Sequence, residues 1–135
     1  MRTHGMQDYL KTIYMLSEDK GTTTGAIAER LGVAHPSATN MVKRLARDGL
    51  VRHAPYGPVQ LTAVGKRLAV AIVRRHRLLE LYLKNVLGLP LERVHGEAEQ
   101  LEHALSDALE ERLAQILGDP DVDPHGEPIP GRRIA

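Results

Sequence analysis

Apolar residues recur at intervals of three and four over most of the chain, which is the spacing of amphipathic α-helices. Six segments follow this pattern, and the longest of them runs from residue 62 to about residue 88. Residues 50–62 instead alternate around the segment APYGP, where Pro and Gly disfavour helix and favour a turn. The pattern predicts a mainly α fold with a small β-hairpin between the third and fourth helices.

The order of helix, helix, Gly-containing turn, helix and hairpin is that of a winged helix-turn-helix. The third helix, about residues 36–48, places its apolar residues on one side and polar residues opposite, as a recognition helix requires. A solvated amphipathic helix is the alternative for this element alone. From this helix and the hairpin we expect DNA contacts by Pro36, Ser37, Thr39, Asn40, Lys43, Arg47, Arg52 and Tyr56.

Charge is distributed unevenly along the 135 residues, although the formal net charge is only +1. Residues 1–90 contain 14 Lys and Arg against 6 Asp and Glu, whereas residues 91–135 contain 4 against 11. A basic half suits a polyanion partner, and an acidic half could hold cations. The chain has no Cys, which excludes disulfides and thiolate ligands, and no apolar run long enough to cross a bilayer. These features predict a cytoplasmic protein without a membrane partner.

Potential metal ligands gather on the later helices. Glu99, Glu102 and His103 follow the spacing i, i+3, i+4 and border an apolar stripe, where unpaired carboxylates would repel one another and lose hydration. A divalent cation relieves both costs. His76 and Glu80 stand at i, i+4 on the preceding helix, a spacing also typical of a surface salt bridge.

Two other functions share some of these features. A winged-helix regulator that senses an organic ligand would have a similar amino-terminal half, but would leave the His and carboxylate positions unexplained. A metallohydrolase is suggested by E-x-x-E-H, which differs by one residue from the H-x-x-E-H pattern of some zinc enzymes. Because Glu99 occupies the first His position and no general base is evident, we expect no enzymatic activity.

The chain resembles the diphtheria toxin repressor family of metalloregulators, and among these the manganese transport regulators. The motifs that carry the resemblance stand in family order: MQDYLKTIYML, IAERLGV, VKRLARDGLV, LTAVGKRLA, RRHRLLE, VHGEAEQLEHALSD and GEPIPG. It implies a winged helix-turn-helix domain at residues 1–65 and a helical metal-binding and dimerisation domain at residues 66–124. An irregular tail or the start of a linker follows at residues 125–135, in longer members before an SH3-like domain.

The resemblance also implies two metal sites. The principal site maps onto Asp8, Glu99, Glu102 and His103, and the ancillary site onto His76, Glu80 and His95. Iron-type members have Met and Cys where this chain has Asp8 and Glu99, so the carboxylates here favour Mn(II), with Fe(II) as the alternative. Lys11 replaces a Glu of the small manganese regulators, which favours separated sites over a close two-manganese cluster.

The predicted function is therefore a manganese-responsive repressor that controls metal homeostasis. It would bind a double-stranded DNA operator as a homodimer, with the stripe Val94, Ala98, Leu101 and Leu105 as one candidate dimer surface. Zn(II), Co(II) or Cd(II) could substitute for Mn(II) in vitro, since all accept His and carboxylate ligands.

Overall fold

The computed structural model describes residues 5–17, 20–55 and 57–131. The chain divides into two compact units, Met1–Val70 and Ala71–Ala135, which are considered separately. Within the described ranges, six helices and one two-stranded sheet form the regular structure, which confirms the predicted mainly α fold with a hairpin. The elements are α1 (Met6–Ser17), α2 (Thr24–Leu31), α3 (His35–Arg47), β1 (Val51–His53), β2 (Val59–Leu61), α4 (Ala63–Asn85), α5 (Leu91–Leu101) and α6 (Asp107–Ile116).

The helix-turn-helix of the first unit is fixed by residues at the ends of α2 and α3. Thr23 caps α2, since its hydroxyl oxygen accepts a hydrogen bond from the amide of Ala26 at 3.0 Å. The helix ends at Gly32, whose φ of 67° is the left-handed conformation that lets the chain turn. Pro36 then lies in the first turn of α3, where its missing N–H costs nothing.

The hairpin joins α3 to α4 through close backbone contacts. The strands β1 and β2 are antiparallel, with Arg52 opposite Gln60. Thr62 donates a hydrogen bond to the carbonyl of Gly49 at 2.7 Å, and its hydroxyl accepts one from the amide of Gly65 at 3.1 Å. A β-carbon on Gly65 would lie 1.9 Å from the carbonyl oxygen of Leu50, so the start of α4 packs on the chain before β1 only because residue 65 lacks a side chain.

One apolar core closes the first unit around α1, α2, α3 and the hairpin. It is built from aliphatic side chains and a single Tyr, as the composition requires, and it excludes water from the inner faces of all three helices. Its buried members are Tyr9, Leu10, Ile13, Ile27, Ala28, Ala38, Val42, Leu45, Leu50, Val51, Val59 and Ala69.

In the second unit, α5 ends although helix-forming residues continue after it. The helix stops at Leu101, and residues 102–104 form a turn before α6. Ser106 explains the break, because its extended backbone caps α6 and its hydroxyl oxygen accepts a hydrogen bond from the amide of Leu109 at 3.2 Å. Glu110, in the first turn of α6, pairs with Arg74 and Arg75 of α4.

Two apolar clusters hold the second unit together. Val94 and Ala98 of α5 are fully buried against Leu79 and Leu83 of α4. The predicted dimer stripe is therefore wrong at Val94 and Ala98, because both side chains are already used in the core of one chain. The second cluster joins α4, α6 and the segment after α6 through Leu78, Leu81, Ala114 and Ile129.

Candidate metal centre and nucleic-acid interface

The outer face of α3 is polar, basic and accessible. Ala38, Val42 and Leu45 point into the core and have no exposed surface. On the same helix Thr39 is half-buried, and the other predicted DNA-contacting side chains are exposed: Pro36, Ser37, Asn40, Lys43 and Arg47. The face thus offers amide and hydroxyl groups for base edges together with cations for phosphates.

The hairpin and neighbouring helices extend this basic surface. Arg52 is exposed on β1, whereas Tyr56, also predicted to contact DNA, lies outside the described residues. Sequence reasoning passed over Arg44 on α3 and Arg30 on α2, both of which are exposed. Their charge alone gave no reason to choose them, since exposed Arg is common on any helix.

A cluster of imidazole and carboxylate groups occupies the second unit, and its centre is on α4. His76 and Glu80 are both buried, and their side chains approach within 3.3 Å from His76 Nε2 to Glu80 Oε1. His95 of α5 lies beside them, with its Nδ1 at 3.1 Å from His76 Nε2. One ligand atom from each of the three lies within 4.8 Å of the others, so the structure brings together the predicted ancillary set.

The acidic residues of α5 continue the cluster. Glu99 Oε1 is 3.1 Å from His95 Nε2, and Glu99 is half-buried. Glu102 is buried after the last residue of α5, with Oε2 at 3.4 Å from His76 Nδ1. His103 follows in the turn, and its Nε2 is 3.8 Å from Glu102 Oε1. His76 and Glu102 therefore connect the two sets of predicted ligands within this unit.

Two potential ligands were missed by sequence reasoning. Asp123 and His125 lie in the segment after α6, and one ligand atom from each is within 4.8 Å of one from Glu80. His125 Nδ1 is 3.3 Å from Glu80 Oε2. The segment has no helical or strand periodicity, so no face of an element predicted the pair. The only available signal was an Asp and a His two residues apart, in DPH.

Asp8, the remaining predicted ligand, is a buried residue of α1 in the first unit. Its role beside Glu99, Glu102 and His103 stays a prediction.

The electrostatic setting keeps Glu80 ionised. Burial raises the pKa of Glu80, but a hydrogen bond with His76 and the charge of His76, with smaller effects of Asp123 and His125, lower it below 4.5 overall. An ionised, buried carboxylate among three imidazoles is a suitable ligand for a cation and a costly group without one.

The donor set fits a divalent cation. Glu80 Oε2 is buried and accepts no hydrogen bond from the described part of the chain, although His125 Nδ1 and His95 Nδ1 lie 3.3 Å and 3.7 Å away. Imidazole nitrogens and carboxylate oxygens are both ligands of divalent cations, and a cation at this point could be bound by both. Sulfur plays no part, because the chain has no Cys.

Two family models cover nearly the whole chain. Residues 1–59 match the N-terminal DNA-binding domain of iron-dependent repressors, and residues 62–131 match their metal-binding and dimerisation domain. The chain belongs to the diphtheria toxin repressor family. The resemblance seen in the sequence is thereby confirmed, including the order of the two domains.

Curated members of the diphtheria toxin repressor family are similar over 124 residues. The iron-dependent repressor IdeR of Mycobacterium tuberculosis is 47% identical, covering 91% of this chain and 54% of that protein. The diphtheria toxin repressor of Corynebacterium diphtheriae is 45% identical, covering 91% of this chain and 55% of that protein. The chain spans about half the length of the curated relatives it matches.

Solved structures of the family include manganese regulators. A manganese-dependent transcriptional repressor in complex with manganese is 49% identical, with a TM-score of 0.88 over 95% of this chain and 59% of that one. The manganese regulator SloR is 40% identical, with a TM-score of 0.81 over 97% of this chain and 65% of that one. Both metals therefore occur among family members of similar sequence.

Within the described ranges, no helix combines the length and the apolar character that crossing a bilayer requires.

Proposed function

We propose that this chain is a metal-responsive transcriptional repressor that binds an operator in double-stranded DNA as a homodimer in the cytoplasm. The observation that carries the proposal is the cluster of His and carboxylate groups around the buried Glu80, in a chain whose α3 presents an exposed polar and basic face. Membership of a family of iron-dependent repressors supports the same conclusion.

The proposed metal is Mn(II). The candidate ligands in the second unit are carboxylate oxygens and imidazole nitrogens, which suit Mn(II) and offer no preference for a soft ion. Asp8 and Glu99 add carboxylates where sulfur would favour iron. Fe(II) is the second candidate, because the curated relatives IdeR are named iron-dependent repressors.

Glu80 would be shared by the ligand sets of the second unit. Its Oε1 faces His76 and its Oε2 faces His95 and His125, so one carboxylate reaches both groups. A bound cation would supply positive charge that offsets the repulsion between buried carboxylates. Glu80, His76 and His95 come from α4 and α5, whereas Asp123 and His125 come from the segment after α6, so the same charge would favour their association.

The principal site is proposed to comprise Asp8, Glu99, Glu102 and His103. Asp8 belongs to the first unit and the other three to the second. Because its ligands come from both units, this site would link the DNA-binding unit to the dimerisation unit only when a bound cation neutralises the carboxylates. An allosteric coupling of about 1–3 kcal/mol, typical of such switches, would change DNA affinity roughly 5- to 150-fold.

DNA recognition is proposed to involve the exposed face of α3 and the hairpin. Asn40 is the candidate base reader, because an amide can pair with both groups of an adenine edge. Lys43, Arg47 and Arg52 are candidates for phosphate contacts, and a wing carrying Tyr56 would approach the backbone. A two-fold dimer would place two such helices about 34–36 Å apart along the duplex.

The dimer surface is proposed to be an apolar groove of the second unit. It is lined by Leu79, Tyr82, Leu83, Leu87, Leu101, Ala104, Leu105, Leu109 and Leu113. Leu87, Leu101 and Leu109 expose 58%, 45% and 57% of their surface in the single chain. Contiguous exposed leucines are typical of a protein interface, and the matching family model is a dimerisation domain.

The proposal is tested by capture of random genomic DNA fragments on the purified chain, with Mn(II), Fe(II) kept reduced, or a chelator. We expect a few palindromic sites to be enriched in a metal-containing arm and none with the chelator. Stronger enrichment with Fe(II) than with Mn(II) would favour the iron-responsive alternative. Equal enrichment in all arms would retain DNA binding and contradict the metal response.

A further inference from the structure

The segment at residues 121–131 is attached to α4 by two arginines. Arg77 is buried and donates a hydrogen bond to the carbonyl oxygen of Pro128. Arg74 donates to the carbonyl oxygen of Pro130 at 2.8 Å. Backbone carbonyl groups normally accept hydrogen bonds within helices and sheets. These two carbonyls lie outside any helix or strand and accept hydrogen bonds from Arg74 and Arg77 instead. We term this pair of residues the arginine clamp.

Apolar packing reinforces the clamp at the same place. Ile129, between the two prolines, is buried with Leu78 and Leu81 of α4 and Ala114 of α6. Its amide donates to the carbonyl oxygen of Asp121 at 2.8 Å, which closes the segment on itself. The position of the backbone near residues 128–130 is therefore fixed relative to α4.

The closed segment in turn places the two ligands. Asp123 Oδ1 accepts hydrogen bonds from the amides of His125 at 2.9 Å and Glu127 at 2.8 Å. The amide of Asp123 donates to the carbonyl oxygen of Glu127 at 2.8 Å. This small loop ends next to the clamped prolines and brings His125 Nδ1 to 3.3 Å from Glu80 Oε2.

We propose that Arg77, assisted by Arg74, is a positioning residue for the metal site formed by Glu80, Asp123 and His125. The inference rests on the proposed function, because it assumes that this site binds a cation. Arg77 would not be a ligand, because a guanidinium has no lone pair to offer a cation; it binds the carbonyl oxygen of Pro128 and lies 4.0 Å from Glu127 Oε2. It acts by holding the segment so that Asp123 and His125 stand ready beside Glu80.

The physical reason is the cost of ordering a loop. Glu80 is held by a helix, but Asp123 and His125 belong to a loop outside the helices and strands, closed by a β-bridge between Val122 and Pro128. If the segment is already docked, metal binding need not restrict its conformations, and the affinity is higher. Coupling is reciprocal, so metal binding must also shift the equilibrium of the segment towards its docked state.

The test measures Mn(II) binding to the chain by equilibrium dialysis. His125→Ala first identifies which binding step belongs to this site. Arg77→Met keeps much of the side-chain volume and removes the guanidinium, and we expect a roughly 10- to 100-fold loss of affinity in that step. Arg75→Met is the matched control, since Arg75 neighbours the ligands on α4 but pairs with Glu110 and Asp107 of α6. We expect Arg75→Met to bind Mn(II) as the original chain does.

Hydrogen exchange of the unmodified chain provides a second measurement that does not depend on the folding of a variant. Mn(II) should slow exchange of the amides of His125, Glu127 and Ile129. Unchanged exchange despite Mn(II) binding, or an Arg77→Met variant that folds and titrates like the original chain, would overturn the positioning role alone. If the unmodified chain bound no Mn(II), the proposed function would fail together with this inference.

Discussion

At the scale of single residues, Glu80 is the candidate ligand at the centre of the metal cluster. Its side chain is only 2% exposed, and His76, His95 and His125 surround it from three different parts of the chain. Burial disfavours its charge, and the neighbouring imidazoles more than offset that effect. The charge of such a carboxylate can be removed in two ways, by protonation at low pH or by substitution with Gln.

The lowered pKa of Glu80 predicts a pH dependence of stability in the metal-free chain. A carboxylate whose folded pKa is below its ordinary value of 4.5 stabilises the fold above that value, and loses this contribution as the pH falls through the folded pKa. Glu80→Gln removes the titration. Urea unfolding should show a difference between the original chain and Glu80→Gln that is largest near neutral pH and shrinks below about 4.5.

The exposed Glu92 supplies the control for this comparison. Glu92→Gln should unfold with nearly the same free energy as the original chain across the same pH range. A constant difference for Glu80→Gln at every pH would show that its charge does not contribute as described.

Substitutions of Asn40 and Lys43 should reduce DNA affinity in different ways. Asn40→Ala removes a base reader and should weaken operator binding by about 1–3 kcal/mol while hardly changing affinity for random DNA. Lys43→Ala removes a phosphate contact and should weaken binding to the operator and to random DNA. The slope of log affinity against log salt concentration should fall by about one. Fluorescence anisotropy at several salt concentrations distinguishes the two. Equal losses on both DNAs for Asn40→Ala would exclude base reading.

At the scale of elements, a side chain would be tolerated at one of two helical glycines and would collide with the backbone at the other. A β-carbon on Gly65 at the start of α4 would meet the carbonyl oxygen of Leu50, whereas one on Gly96 in α5 would meet no heavy atom within 4 Å. Gly65→Ala should therefore destabilise the chain by about 1–3 kcal/mol, because the backbone must shift. Gly96→Ala should stabilise it by roughly 0.5–1 kcal/mol through helix propensity.

Thermal or urea unfolding of the two variants checks this pair. The same chemical change is made in both helices. If both variants changed the free energy of unfolding in the same direction, the packing of α4 against the chain before β1 would be contradicted.

Periodicity predicted the elements but not all of their ends. The six helices and the hairpin follow from the spacing of apolar residues and from Pro and Gly in the connections. The end of α5 at Leu101 does not follow from periodicity, because Glu102, His103 and Ala104 continue the helical pattern. Ser106 indicates the N-cap of the next helix, but not how far before it α5 ends.

The metal cluster was predictable where its ligands lie on helices. His76 and Glu80, one turn apart on α4, and His95 and Glu99, one turn apart on α5, follow from spacing and family resemblance. Asp123 and His125 could not be found in this way, since their approach to Glu80 depends on the arginine clamp and on burial of Ile129. Such contacts, about 50 residues apart along the chain, leave no periodic signal.

At the scale of the whole molecule, the apolar groove predicts self-association. Leu109 exposes 57% of its surface and lines the groove, so a charge there should disrupt a dimer while leaving the core of one chain intact. Leu109→Glu should raise the dimer dissociation constant roughly 30-fold or more, equivalent to about 2 kcal/mol. Sedimentation velocity over a range of concentrations measures the change.

Ile116 gives a matched control, because it exposes the same 57% on α6 and does not line the groove. Ile116→Glu should sediment like the original chain. Equal dissociation of both variants, or of neither, would place the dimer surface elsewhere.

We propose that metal binding in the second unit controls DNA binding by the first. The most direct measurement is the affinity of the chain for a captured operator as Mn(II) is titrated, compared with Asp8→Ala and Glu102→Ala. We expect the affinity of the original chain to rise roughly 5- to 150-fold with Mn(II). Both variants should keep their fold by circular dichroism and lose most of that rise. An operator affinity that is the same with Mn(II) and with chelator would contradict the account.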